Sequence, residues 1–444
     1  MVKVITYGTF DLLHNGHIRL LQRAKALGDY LIVGVTSDDF DKTRGKINIQ
    51  QSLIERMEAV KALGIADMVI VEEYEGQKID DIRKYEVDIF TVGSDWVGKF
   101  DYLNDYCRVI YLPRTEGISS TEIRSAQRNL RLGFVGESHL VGKFRKECSY
   151  VNGVDVVGIC SADRRYLMNY DTLRVRTQDY GELLEQVDAV YIASHPSVHA
   201  EQIRLALNKG IHVICESPIA MTEQECRELF RLAHERSCVL MDAIKTAYST
   251  AYSRLLGLLK SGKIGRIRSV DATCTSLREV RADDPAFLAR EWNSMCFWGP
   301  TAMLPVFELL GTDFCRAETA SLFADPQKRF DTFTKIDWIY PDAVASIKIG
   351  NGVKSEGSLV VSGSNGYLYV PAPWWKTDYF EVRYEDINET KKFFYQLDGE
   401  GIRYEIVAFV RNILNGRLHS SVPEEISAKI CAMIERSADA ELSH

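Results

Sequence analysis

Two histidines three residues apart, His14 and His17, stand where a short loop passes into a helix, in the run Gly8-Thr9-Phe10-Asp11-Leu12-Leu13-His14-Asn15-Gly16-His17. The unpaired N–H groups of a helix start carry partial positive charge and favour phosphate. Two imidazoles at such a point can donate hydrogen bonds to charge developing on a phosphoryl group. Gly16 between them allows close approach of the backbone. A second stretch, Arg114-Thr115-Glu116-Gly117-Ile118-Ser119-Ser120-Thr121, follows the same logic. Ser119, Ser120 and Thr121 are placed to cap a following helix and to offer hydroxyls and amides to phosphates. Arg114 supplies a planar cationic fork suited to phosphate oxygens. The chemistry these residues suit is phosphoryl transfer on a nucleotide.

The elements that position these groups can be read around them. The apolar run Val2 to Tyr7 is a strand that feeds the loop. The helix after it places Ile18, Leu21, Ala24 and Leu27 on one face, with Gly28 as its stop. A strand over Tyr30 to Val35 leads to a basic, glycine-containing loop with Arg44 and Lys46. Arg56 opens a helix over 56–63, and the strand Asp88 to Thr91 runs into Val92-Gly93-Ser94-Asp95-Trp96. Asp95 either holds Mg²⁺, orients an acceptor, or simply ends a strand. Lys99 and Asp101 lie nearby with no assignable role.

Residues 1 to about 125 resemble the glycerol-3-phosphate cytidylyltransferases of the H-x-G-H nucleotidyltransferase superfamily, through the His14–His17 motif and the Arg114–Thr121 motif in that order. The resemblance implies a Rossmann-like domain over 1–127 that joins CTP to a polyol phosphate and releases pyrophosphate, with Mg²⁺ bridging the phosphates. It implies that His14, His17, Arg114 and Lys46 carry the catalysis. Thr9, Phe10, Asp11, Gly16, Arg44, Arg56, Asp95, Thr115, Ser119, Ser120 and Thr121 would contact the nucleotide. Arg44 replaces a lysine at this place, keeping the charge and changing its geometry.

Composition bounds the rest. At 444 residues the chain is expected to form about two to three domains. The net charge of −8 disfavours general binding to nucleic acid or an anionic membrane. Met1 leads straight into a strand, and no apolar run approaches the roughly 20 residues of a membrane span. Ten cysteines without C-x-x-C spacing read as reduced, mostly buried thiols, so the expected location is the cytoplasm.

A second region begins at Leu130-Arg131-Leu132-Gly133-Phe134-Val135-Gly136 with no Pro/Ser-rich linker. Strands over 154–160, 189–194 and 211–216 alternate with helices over 179–187, 199–209 and 222–236, which predicts βαβ units and a parallel sheet. After about residue 266 short strands (270–275, 343–349, 358–362) suggest an open, largely antiparallel sheet, with helices over 404–411 and 424–439. The fold class is therefore α/β, with domains expected at 130–250 and 251–444 after the first.

This second region resembles the glucose–fructose oxidoreductase and inositol dehydrogenase family. The residues that carry the resemblance are Ala193-Ser194-His195-Pro196-Ser197-Val198-His199-Ala200-Glu201, Cys215-Glu216-Ser217-Pro218-Ile219-Ala220 and Arg403-Tyr404-Glu405-Ile406-Val407-Ala408-Phe409. The resemblance implies a nicotinamide dinucleotide held by Gly136, Ser138, Gly142, Ser161, Arg164, Arg165, His195, Glu216, Ser217 and Pro218. The phosphate loop lacks a clean G-x-G-x-x-G and reads one residue longer. Ser161 with Arg164 and Arg165 suits the 2′-phosphate of NADP, although the two arginines equally suit the exposed start of a helix. Ser217 stands where the family has a lysine, and Pro300 and Leu304 fall where proton-exchanging residues are expected. Lys245, with Tyr248 three residues on, is either a substitute for them or a solvated loop charge, the second being preferred. The expected activity is a CTP-dependent cytidylyltransferase carrying an oxidoreductase-like domain. The alternatives are a bifunctional enzyme whose NADP-dependent reductase supplies the polyol or polyol phosphate, and a non-enzymatic nucleotide-sensing scaffold. Both resemblances imply a homo-oligomer.

Overall fold

The structure is a computed structural model that describes residues 1–37, 49, 51, 53–74, 76–113, 129–151, 153–325, 330–395, 397–416 and 420–437. The chain divides into two compact units, Met1–Asn129 and Leu130–His444.

In the first unit strands and helices alternate as β1 (Lys3–Gly8), α1 (Asn15–Lys25), β2 (Tyr30–Thr36), α2 (Leu53–Ala62), β3 (Met68–Glu72), α3 (Gln77–Tyr85), β4 (Ile89–Gly93) and β5 (Arg108–Leu112). All pairings are parallel, in the order β3-β2-β1-β4-β5. Successive side chains of a strand face opposite sides. Val4 therefore packs with Leu21, Ala24 and Val33, while Ile5 and Tyr7 pack with Ile82, Phe90 and Leu103. Chain order reverses between β1 and β4, so the loops leaving their C-terminal ends diverge and open a crevice. The two histidines leave β1 at that crevice, and Asp95 leaves β4 there in the 3₁₀ turn Ser94–Trp96.

The second unit opens with the strands β6 (Leu130–Val135), β7 (Val154–Cys160), β8 (Val175–Thr177), β9 (Ala189–Ile192), β10 (His212–Cys215) and β11 (Leu240–Asp242). Between them run α4 (His139–Cys148), α5 (Arg164–Leu167), α6 (Tyr180–Leu184), α7 (His199–Asn208) and α8 (Glu223–Glu235). This six-stranded sheet is parallel throughout, in the order β11-β10-β9-β6-β7-β8. Its reversal point lies between β6 and β9.

After α9 (Thr250–Lys260) comes an eight-stranded sheet of β12 (Ile267–Thr275), β13 (Arg316–Phe323), β14 (Asp331–Ile339), β15 (Val344–Gly350), β16 (Leu359–Gly363), β17 (Tyr367–Val370), β18 (Tyr379–Arg383) and β19 (Lys391–Phe394). Helices α10 (Pro285–Arg290) and α11 (Ser294–Leu310) precede β13, and α12 (Ile402–Leu414) and α13 (Glu424–Ser437) close the described chain. The sheet is antiparallel except where β12 lies parallel to β15. Two corrections follow for the helices. Arg56 is the fourth residue of α2 and not its first, and the 179–187 helix is only Tyr180–Leu184, capped by the Asp179 carboxylate accepting from Gly181 and Glu182. All ten cysteines are free, eight of them buried. Among the described residues no helix is long and apolar enough to cross a membrane.

Candidate functional site

His14 is the N-cap of α1, and its Nδ1 accepts the backbone N–H of Gly16 at 3.0 Å. A neutral ring engaged in this way carries its proton on Nε2, which makes that nitrogen a donor. His17 lies one turn along the same face, and the two rings stack at 3.9 Å between centroids and 22° between planes. Phe10 meets the edge of His17 at 5.4 Å. The pair thus occupies a helix start that already favours anions, at the crevice between β1 and β4.

The loop that delivers the pair is strained. Phe10 and Leu12 have left-handed backbones, at φ 53° and 48°, a conformation costing about 1–2 kcal/mol per non-glycine residue. Burial of the Phe10 ring, 1% exposed, offsets this by roughly 1.5–3 kcal/mol. Gln51 adds direct ties: its Oε1 accepts from Leu12 N–H at 2.8 Å and its N–H donates to Asp11 at 3.0 Å. Arg56 is fully buried, donating to the carbonyls of Thr9 (2.7 Å), Thr36 (2.8 Å) and Gln51 (3.1 Å). Arg56, expected to contact nucleotide, directs these three bonds to backbone carbonyls. Its guanidinium lies beneath the loop and braces it. Asp11, 3% exposed, likewise faces Gln51. Gln51 is the positioning residue that sequence reasoning missed, because its two bonds span about 40 residues. Asp95 is exposed, in the 3₁₀ turn after β4. Arg44, Lys46, Arg114, Thr115, Ser119, Ser120 and Thr121 lie outside the described residues.

In the second unit a cavity of about 820 Å³ opens at the C-terminal ends of β6, β7 and β9. Gly136 ends β6 at φ 108°, and a Cβ there would sit 2.5 Å from the Ser194 nitrogen. Only glycine permits this approach. Ser138 caps α4 by accepting from Leu140 N–H at 3.2 Å, leaving the N–H groups at the start of α4 directed at the cavity region. Gly136, Ser138, Ser161 and His195 line this cavity. Burial holds the His195 imidazole below its ordinary pKa.

Three expectations for this cavity are corrected. The loop is not lengthened, since α4 begins at His139, and the third motif position is Val141, fully buried. Gly142 sits inside α4 and does not line the cavity. Arg164 and Arg165 are exposed and stand outside its wall, with Arg164 donating to Gln178 at 2.8 Å. In the position expected to receive a 2′-phosphate stands a carboxylate instead. Glu137 accepts the Ser161 hydroxyl and the Asp163 N–H, both at 2.9 Å.

A second cavity of about 250 Å³ shares His139, Leu140, Arg278, Trp292 and Phe297 with the first. Glu216 and Ser217 line it, while Pro218 does not and instead engages Nδ1 of buried His199 through its carbonyl at 2.8 Å. Pro300 lines it from within α11, and Leu304 is fully buried away from it. Lys245 corrects the reading of a solvated charge. It begins the 3₁₀ turn Lys245–Tyr248, lines the cavity, and its side chain is 25% exposed. Burial lowers its pKa, against the pull of Glu400 and Glu216. Tyr248 is buried elsewhere, on the Asp242 carbonyl (2.9 Å) and Ser420 (2.7 Å). Glu216, bonded by the Tyr191 hydroxyl, is pushed up to about 7 by burial. Glu405 is raised further by burial and by the charge of Glu216.

Comparison with known proteins agrees with this division. Residues 5–126 match the family model described as cytidylyltransferase-like. Glycerol-3-phosphate cytidylyltransferase of Bacillus spizizenii is 51% identical over 130 residues, 29% of this chain and 100% of its own length. The chain belongs to the cytidylyltransferase-like family. Beyond the cytidylyltransferase unit, residues 130–243 match the model described as an oxidoreductase family with an NAD-binding Rossmann fold. Scyllo-inositol 2-dehydrogenase (NADP(+)) of Bacillus subtilis is 28% identical over 149 residues, 32% of this chain and 45% of that protein. A solved structure of the 3-ketoreductase KijD10 from Actinomadura kijaniata, in complex with NADP and TDP-benzene, covers 70% of this chain and 98% of its own at TM-score 0.61 and 19% identity. At that identity the likeness establishes the fold of the second unit.

Arg56→Met removes the brace while preserving side-chain bulk. It is expected to cost the cytidylyltransferase unit about 3–5 kcal/mol, the price of leaving three carbonyls without their cation. Urea unfolding of the full chain checks this, and an unchanged midpoint would show that the loop holds without the guanidinium.

Proposed function

We propose that the first unit transfers a cytidylyl group from CTP to a polyol phosphate, glycerol phosphate foremost and tetritol or pentitol phosphates behind it. The observation that carries this reading is the stacked His14–His17 pair on the N-terminus of α1. An oxygen of the acceptor phosphate attacks the α-phosphorus in line. The bond from that phosphorus to the bridging oxygen breaks, and pyrophosphate leaves. His14 Nε2 and His17 donate to the α-phosphate as its charge redistributes, so the protein contributes positioning and charge and needs no nucleophile of its own. Arg44, Lys46, Arg114 and Ser119–Thr121 are assigned the outer phosphates by the family resemblance. Mg²⁺ would offset charge on the triphosphate. Asp95, exposed in the turn after β4, either holds it or orients the acceptor. The CDP-polyol product suits transfer of polyol phosphate into a wall or capsule polymer, and the free cysteines suit the cytoplasm.

Lys245 favours a second reading, in which the other unit is a dinucleotide-dependent reductase that supplies the polyol phosphate. Gly136 leaves the close approach that a pyrophosphate needs, and Ser138 and the start of α4 offer donors to it, so the residues present fit a nicotinamide dinucleotide. The bound dinucleotide supplies a hydride. Ser217 cannot serve as the acid, but Lys245 reaches the same cavity from another element and can protonate a carbonyl oxygen there.

His14→Asn retains a helix-capping side chain, so its stability is expected to hold. Pyrophosphate release from CTP should fall by about 10²–10³-fold, and similarly for His17→Asn. Wild-type rates in both would overturn the site. For the second unit, Glu137→Gln removes a negative charge beside the Ser161 hydroxyl. It should shift the NADPH-to-NADH affinity ratio several-fold toward NADPH, and calorimetric titration of both cofactors measures it.

A further inference from the structure

The second cavity holds more positive charge than proton transfer requires. Three lysines from three separate elements converge on one carboxylate. Lys143 of α4 lies 3.2 Å and Lys245 3.4 Å from Glu400 Oε2, and Lys376, ending the 3₁₀ turn Trp374–Lys376, lies 2.8 Å from Oε1. All four residues line the cavity, as does Arg278. Glu400 is the carboxylate in ion-pair contact with all three. Glu216 and Glu405 are shifted upward by burial, Glu216 to about 7, and only Glu400 is held down, to about 2, by the three lysines against its own burial.

Glu400 is presented by force. It has φ 56°, between Gly399 at 55° and Gly401 at 95°, and a Cβ on Gly399 would lie 2.2 Å from the Glu147 carboxylate. The backbone therefore holds this carboxylate among the lysines, and it spaces their ammonium groups. One carboxylate is shared among three ammonium groups. A phosphate monoester brings about −1.5 to −2 at neutral pH and three acceptor oxygens. The wall also carries aromatic rings: those of Trp298 and Trp375 lie 4.7 Å apart between centroids. Their faces can cover the C–H edges of a short carbon chain, and the volume of about 250 Å³ suits a small molecule.

We propose that this cavity takes the phosphate monoester of a short keto-polyol, with its phosphate on Lys143 and Lys376, its chain along Trp298 and Trp375, and its carbonyl at Lys245. The binding stands on the cavity alone, and only the reduction rests on the reductase reading. In that step a hydride, carrying two electrons, passes from the reduced dinucleotide to the carbonyl carbon. The C=O π bond breaks, Lys245 gives a proton to the oxygen, and water reprotonates Lys245. The product is a polyol phosphate, the acceptor class of the cytidylyltransferase unit.

The test uses the full chain with dihydroxyacetone phosphate and ribulose 5-phosphate, their unphosphorylated counterparts, and inorganic phosphate. Melting shifts without dinucleotide read binding, and NADPH or NADH absorbance reads turnover. The phosphorylated compounds should raise the melting temperature of the second unit and their counterparts should not. Lys143→Met and Lys376→Met should each weaken that binding about tenfold or more, raising KM with kcat little changed, while Lys245→Met should lower kcat. Pyrophosphate release in the same preparations should be unchanged. Equal binding of phosphorylated and unphosphorylated partners, or unaltered binding in both lysine variants, would overturn the proposal. So would inorganic phosphate reproducing the full shift, since no polyol would then be recognised. Selective binding with neither NADPH nor NADH consumed would uphold the site and refute the reductase reading.

Discussion

A guanidinium sealed from water underlies the first unit. Burying a cation costs several kcal/mol, and in Arg56 that cost is met by charge-assisted bonds to three carbonyls, each worth about 1.5–3 kcal/mol. Those carbonyls belong to the end of β1, the end of β2 and the approach to α2. The loop between β1 and α1 therefore cannot relax its left-handed residues at Phe10 and Leu12, and the first turn of α1 starts where the loop delivers it. The orientation of His14 and His17 follows from a network in which neither takes a leading structural part.

The second unit applies the same architectural rule to a different ligand. Both parallel sheets reverse their strand order beside the first strand, and in both the chemistry-bearing residues collect at that reversal. In the first unit imidazoles occupy the helix start. In the second a glycine and a serine leave it open, as a pyrophosphate needs. Glu137 then places a carboxylate beside Ser161 in that cavity, and Arg164 of α5 donates to Gln178 of its wall. Loss of the family lysine at Ser217 does not leave the neighbouring cavity without an acid, because Lys245 enters it from the turn after β11.

These features give the two units one chemical theme. A phosphate monoester of a polyol is the acceptor proposed for the first and the product proposed for the second, and each site meets it with donors held by buried or constrained partners. Covalent linkage of the two would deliver the product of one reaction at high effective concentration to the other.

Much of this was legible in the chain. Local signals, namely the H-x-G-H spacing, the alternation of strand and helix, the glycine after β6 and the change in texture near residue 266, place the two Rossmann-like sheets and the open sheet because each depends on neighbours a few residues away. The same locality has its limit. Nothing nearby in sequence reveals that Arg56 is enclosed, and the direction of Arg164 and Arg165 depends on how α5 leaves β7. Gln51, Glu137, Lys143, Lys376 and Glu400 were not found at all. Lys143 and Lys245 meet Glu400 across 257 and 155 residues, and no periodicity encodes a contact at that range. The sequence by itself determined which chemistry is on offer, because residue type and local spacing set donors, charges and helix starts. Tertiary structure alone decided which of those groups share a cavity and which are buried as braces, because burial and charge pairing arise only when distant segments pack.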